Sequence, residues 1–231
     1  MSSTCKGSIS PKVLNTYSTF ANKESGIVFK IQDIPENQFD NALKMLVDGT
    51  KEEPLCASRN VHDNVDTVRE FERIWTGILY ERLSVGCFND DGDLVGLNVL
   101  MIKTKGEEGL FVSNDRHIRD MMDNMTQIHK KIDLFTNYNI DRYLTSLGLY
   151  VNPQYRSRGI AKELLKVRRQ IMASLGLTLT VSTFTAIGSQ KAAKSVGFEE
   201  IYVISYEELR SLGFDFVNKF SDFYKIMALK V

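Results

Sequence analysis

The chain has 231 residues and a mass of 26.3 kDa, with 29 Lys and Arg balanced by 29 Asp and Glu. Zero formal net charge excludes a wholly basic nucleic-acid binder and an acidic disordered solvator, while 43% hydrophobic and 25% charged residues is the composition of a globular protein. The zero conceals an asymmetry: residues 1–115 carry 12 basic and 18 acidic side chains, and residues 116–231 carry 17 and 11.

Residues 1–25 are rich in Ser, Thr and Lys and read as a flexible leader ahead of one domain over 26–231. Ile27–Ile31 alternates as a short strand. Asp33-Ile34-Pro35-Glu36 opens a helix whose apolar residues Phe39, Ala42, Leu43, Leu46 and Val47 recur at helical spacing, and Gly49 closes it. An acidic loop, Lys51-Glu52-Glu53-Pro54, leads to a second helical pattern over Val65–Leu83, in which Trp75, Phe71, Ile78 and Leu79 read as core. Ser84–Phe88 and Leu94–Ile102 flank an Asp-Gly turn and read as a hairpin. Asn114–Tyr138 is one long helical stretch, Leu144–Val151 a strand, Ser157–Ser174 a helix and Leu177–Ser182 a strand. A short helix at Gly188–Val196 follows, then strands Ile201–Tyr206 and Phe223–Leu229 around a helical turn at Glu207–Leu212. The fold class is α/β with α+β character: a mixed, mostly antiparallel sheet with one parallel crossover and helices on both faces.

Cys5, Cys56 and Cys87 are scattered and odd in number, which fits neither a disulfide framework nor a zinc site. His62, His117 and His129 lack metal spacing, and His117 and His129 read as surface or boundary residues. No apolar run approaches the roughly 20 residues of a membrane helix, and no signal peptide is visible. The expectation is a cytoplasmic monomer without a metal, a membrane contact or a nucleic-acid partner.

The chemistry concentrates where strand Leu144–Val151 runs into Asn152-Pro153-Gln154-Tyr155-Arg156-Ser157-Arg158-Gly159-Ile160-Ala161 and then an amphipathic helix. A helix's first turn presents unpaired N–H groups and a partial positive charge, a seat for a pyrophosphate, and Gly159 and Ala161 let an anion approach the backbone. Six Lys or Arg against one acid between Gln154 and Gln170 add charge. The string by itself also fits a surface helix with solvated basic residues; its place between a strand and a helix favours the phosphate. It is neither a P-loop nor a Rossmann fingerprint, for it lacks Gly-Lys-Ser/Thr and the three spaced glycines.

Val151–Ala161 resembles the acetyl-CoA signature of the GNAT N-acetyltransferases, and Ser189–Phe198 resembles the helix and Gly-Phe that close the same fold. With Glu53-Pro54-Leu55, the chain is most similar to the insect arylalkylamine N-acetyltransferases, the dopamine and serotonin branch. The resemblance implies acetyl-CoA as co-substrate, with backbone from Leu149, Tyr150 and Val151 on the pantetheine arm and Arg156, Ser157, Arg158, Gly159, Ile160 and Ala161 around the pyrophosphate. It implies Glu53 as the base that takes the proton of a small-molecule amine substrate, and a hydroxyl pair at Thr185 and Ser189. Thr185 departs from the branch's serine but keeps the hydroxyl. A tyrosine acid common in other GNAT enzymes is replaced by Ala193. Without the resemblance, Glu53 is also an ordinary loop carboxylate and Ser189 a helix N-cap. Rival readings are another amine (a polyamine, agmatine or histamine), a longer acyl-CoA, or an acyl-CoA sensor without catalysis.

Overall fold

The apolar periodicities read along the chain become the two inner faces of one sheet. The structure, a computed structural model, describes residues 14–22, 25–107, 113–214 and 221–231. In chain order the elements are β1 (Thr16–Ala21), β2 (Val28–Asp33), α1 (Phe39–Gly49), α2 (Pro54–Ala57), α3 (Val65–Tyr80), β3 (Val85–Phe88) and β4 (Leu94–Thr104). Then come α4 (Arg116–Lys130), α5 (Leu134–Tyr138), β5 (Arg142–Val151), α6 (Ile160–Lys166), α7 (Arg168–Leu175) and β6 (Leu179–Phe184). The chain closes with α8 (Ile187–Ser195), β7 (Glu199–Ser205), α9 (Tyr206–Ser211) and β8 (Phe223–Lys230).

The eight strands lie in the order β1-β2-β3-β4-β5-β6-β8-β7, antiparallel throughout except for β5 beside β6. That is the expected mixed, mostly antiparallel sheet. On one face pack Phe39, Leu46, Trp75, Ile78, Ile118 and Ile128 of α1, α3 and α4; on the other, Ile160, Leu164, Ile171 and Met172 of α6 and α7. Apolar residues at helical spacing on each helix bury one stripe against the sheet, the main source of helix stability in a chain like this.

Three expectations are corrected. Thr16–Ala21, placed in the flexible leader, form edge strand β1. Its Thr, Tyr and Phe suit a pleated surface, and the start is anchored on Asp33, which accepts from Asn15 N and Nδ2 and from Tyr17 Oη at 3.0, 2.9 and 2.8 Å. Residues 1–13 lie outside the described residues. The long helix over Asn114–Tyr138 is two, because Asp133 takes a left-handed conformation (φ 43°) and caps α5 through Thr136 N. The helix over Ser157–Ser174 is also divided, at Val167 between α6 and α7.

The feature that positions everything else is a seam. β5 and β6 meet through the single pair Leu144–Thr180 and then part, so the C-terminal half of β5 has no ladder partner on that side. Across the opening lies Arg168, fully buried in α7. Its Nε donates to Asn98 Oδ1 of β4 at 3.0 Å, Nη2 to Ser146 Oγ of β5 at 2.8 Å, and Nη1 to Thr180 and Ser182 of β6 at 3.1 and 2.8 Å. One guanidinium thus ties three strands where the backbone does not. Burial alone lowers its pKa to about 9.

Candidate active site

Two cavities meet at the seam. The first lies between the sheet and helices α1, α3 and α4; the second runs along the open end of β5 to the start of α6 and along α8. Glu53, Leu149, Tyr150, Thr185 and Ser189 line both. The structure therefore brings the expected catalytic residues to one junction, beside the strand segment expected to hold a pantetheine arm.

The second cavity is lined by Leu149, Tyr150 and Val151 and, from the turn, by Arg156, Ser157, Gly159, Ile160 and Ala161. Ser157 and Gly159 both have positive φ, 62° and 84°, and Gly159 is the N-cap of α6. That backbone turns the first N–H groups of α6, which have no intrahelical acceptor, toward the cavity. Arg158 is placed differently from the rest: its guanidinium stacks over the Tyr155 ring at 5.3 Å, and Nη1 is buried without a hydrogen bond. Arg156 bridges instead, with Nε donating to Val151 O at 3.0 Å and Nη2 paired with Glu52 at 2.8 Å.

The basic surplus between Gln154 and Gln170 is therefore not one patch. Arg168 is in the core, Lys166 pairs with Glu163, and Arg169 reaches Val196 O. Arg156 and Lys162 reach the cavity, joined from α8 by Lys191. An unpaired strand edge, a turn of free N–H groups and three cations are the donor set that an elongated polyanion with an amide-bearing arm requires.

Glu53 sits at the N-cap of α2, where Pro54 supplies the fixed φ of a first helical residue. Its Oε2 accepts from Cys56 N at 2.8 Å, a bond that favours the charged form, as do the neighbouring Thr185 hydroxyl and Cys56 thiol. Burial outweighs these bonds and raises its pKa above the ordinary carboxylate value. Burial, and then the Glu53 charge, push the Cys56 thiol up in turn. A carboxylate so held is a proton acceptor whose affinity for the proton is enhanced. Ser189 is the third residue of α8, not its N-cap, which is Ala186; its Oγ donates to Ala186 O at 2.8 Å. Ala193 is fully buried in α8.

The first cavity is walled by Phe71 and Trp75, stacked at 4.9 Å, with Tyr143 and Tyr150 from β5 and Met121, Met122 and Met125 from α4. Trp75 is core as expected but also a wall residue, and its Nε1 donates to Leu147 O at 2.9 Å. Close to this junction Gly148 has φ 147°, and a Cβ there would lie 2.7 Å from Leu46 Cδ2, so only glycine admits α1 this close.

His129 is half-buried, a boundary residue as expected. It lines the first cavity, and its Nε2 lies 3.1 Å from Thr183 Oγ1, which in turn lies 3.3 Å from Tyr224 Oη. Burial, then the charge of Lys103, lower the His129 pKa to about 4. Lys103, Thr183, Tyr206 and Tyr224 also escaped the sequence reading. Tyr206 Oη donates to Thr185 O at 3.0 Å, which fixes the segment carrying the hydroxyl pair. Among the described residues Cys56 and Cys87 are free and buried, no group of three or more metal-ligating side chains is found, and no helix is long and apolar enough to cross a membrane.

A sequence model of a family, described as acetyltransferase (GNAT) family, matches residues 61–198. No curated protein matches the chain. A crystal structure from the yellow fever mosquito Aedes aegypti, provisionally named arylalkylamine N-acetyltransferase 7, superposes with a TM-score of 0.88 at 28% identity, covering 96% of this chain and 98% of that one. Arylalkylamine N-acetyltransferase 2 of the same mosquito has a TM-score of 0.76 at 20% identity, over 87% and 98%. A Drosophila melanogaster polyamine N-acetyltransferase that forms N-acetylagmatine has 0.69 at 14%, over 88% and 100%. The last two show the shared fold alone.

Proposed function

The chain belongs to the acetyltransferase (GNAT) family, and from that premise we propose that it transfers an acetyl group from acetyl-CoA to the primary amine of a small arylalkylamine. The observation that carries the reading is the junction itself: one half-buried carboxylate, Glu53, beside Thr185 and lining a cavity walled by Phe71, Trp75, Tyr143 and Tyr150. An agmatine or polyamine acceptor calls for a second carboxylate, and among the described residues lining that cavity Glu53 is the sole acid.

Acetyl-CoA supplies an activated thioester carbonyl. The residues around it do the rest. An alkylammonium titrates near 10, like lysine, so at neutral pH the amine must lose a proton before it attacks. Glu53 takes that proton. The freed nitrogen adds to the carbonyl and forms the C–N bond; as the C–S bond breaks with its electron pair leaving on sulfur, the extra proton on that nitrogen passes through the hydroxyl of Ser189, which borders both cavities, to the thiolate. Backbone N–H near Val151 stabilises the oxyanion, and Thr185 orients Glu53. Holding both reactants at one junction supplies much of the acceleration. The reading is of a metal-free, cytoplasmic, monomeric enzyme.

Release of CoA thiol, followed with tyramine, dopamine, serotonin, histamine, agmatine and putrescine, tests it. Turnover of the aromatic amines ahead of the last two is expected. CoA binding without turnover of any aromatic amine refutes the arylalkylamine assignment.

A further inference from the structure

The acceptor cavity has two ends of different chemistry. At the junction stands Glu53. Beyond it, β6 carries Thr183, two residues before Thr185 and so about 7 Å along the strand. Thr183 Oγ1 contacts His129 Nε2 at 3.1 Å and Tyr224 Oη at 3.3 Å. Lys103 of β4, paired with Tyr143 in the sheet, lines the cavity with them, close enough to His129 for its charge to be felt there. Lys103 is half-buried, and among the described residues it makes no ion pair. Among the described residues the acid whose charge it feels is Glu107, an exposed side chain just past the end of β4 that accepts from Thr104 N at 3.2 Å. Burial pulls the Lys103 pKa down, the mark of an ammonium short of partners. The neutral imidazole, hydroxyl and ammonium together form a polar end in a cavity whose larger wall residues are Phe, Trp, Tyr, Leu and Met.

We infer that Lys103 and His129 read the far end of the acceptor, selecting a primary amine that carries a hydroxyl or similar oxygen there and rejecting one that carries a second cation. An oxygen at that end accepts from the ammonium and pairs with the imidazole. An ammonium or guanidinium there would meet a like charge in a partly buried site, where repulsion is less screened than in bulk water. This rests on the acetyltransferase reading and narrows its acceptor class, independently of whether the body of the acceptor is aromatic.

The test uses matched amines that differ only at the far end. Tyramine is compared with phenethylamine, and 5-aminopentanol with pentylamine and 1,5-diaminopentane, on the wild-type chain and on Lys103→Met and Lys103→Arg. A hydrogen bond to a charged group discriminates by about tenfold or more. The expected kcat/KM is therefore at least about tenfold higher for tyramine than for phenethylamine, and for 5-aminopentanol than for pentylamine, with 1,5-diaminopentane the poorest of the five. Lys103→Met should bring both hydroxyl preferences to within about threefold of unity and raise the diamine relative to the alcohol; Lys103→Arg should keep the preferences. Equal use of tyramine and phenethylamine, or preferences unaltered in Lys103→Met, overturns the inference and leaves the arylalkylamine reading intact. Turnover of 5-aminopentanol without either aromatic amine does the reverse. A best rate with the diamine, or no turnover of any of the five, overturns both. The wild-type panel alone decides should Lys103→Met fail to fold.

Discussion

Replacing Glu53 with Gln keeps the shape of the side chain and the bond accepted from Cys56 N, and removes the ability to take a proton. For an acceptor amine that titrates near 10.4, about one molecule in 10³ is neutral at pH 7.4. A variant without the base must wait for that fraction, so kcat/KM at pH 7.4 should fall by about 10³-fold, within the range of general-base catalysis. The deficit should shrink about tenfold per pH unit and close near pH 10, whereas the wild-type profile levels off far lower, above the raised Glu53 pKa. Stability should move the other way. Burial lifts the folded-state pKa of Glu53 above its unfolded value, so the native state is favoured by protonation below the unfolded pKa and loses that advantage as pH rises through the folded pKa. Gln has no such cost. Thermal denaturation of the two proteins should coincide at low pH and separate at pH 7–8, with Glu53→Gln melting higher. A stopped-flow or thiol-release pH series alongside melting curves checks both halves. A Gln variant with the wild-type profile refutes Glu53 as the base, and one that melts lower at pH 8 refutes the burial argument.

Glu52→Gln is the contrast: its pair with Arg156 leaves both side chains more than two-fifths exposed, so stability should change by at most ~1 kcal/mol and the pH–rate profile should not follow that of Glu53→Gln. Arg168→Met should lower stability by at least ~2 kcal/mol in urea titration, because Asn98 and Thr180 lose their buried partner; an unchanged midpoint would mean that the desolvation cost of the guanidinium cancels its bonds. Gly148→Ala should cost ~1–3 kcal/mol, measured by melting, through its φ and the 2.7 Å approach to Leu46.

The sheet and the phosphate turn were legible because each rests on local rules. Alternation marks β2, and Gly159 marks a turn that needs positive φ. Glu53 was legible only by resemblance: nothing local says that a loop glutamate before a proline meets a threonine 132 residues later. The errors share a cause. Tyr17 looked like leader because its partner Asp33 belongs to another strand, and His129 was not placed in a cavity because its partner Thr183 belongs to a distant strand. Arg168 was counted with the cofactor's cations since an isolated helix pattern cannot reveal that one basic residue points inward to three strands. Tertiary pairing decided each case, and a linear reading has no access to it.

The seam between β5 and β6 also has a thermodynamic meaning. A sheet whose two halves are joined by Leu144–Thr180, a Ser146–Ser182 hydroxyl contact and a guanidinium is left unfinished by its own chain. On the proposed reading, the pantetheine arm completes it, serving as a surrogate strand. Folding and substrate binding then become one linked equilibrium: at a ligand concentration a hundred times Kd the folded state gains ~2.7 kcal/mol. The amides of β5 beyond Ser146 that face the open side should record that gain as slowed hydrogen exchange, while those directed at β4, laddered along the whole strand, should change least. The protein's stability would then track the supply of its acyl donor.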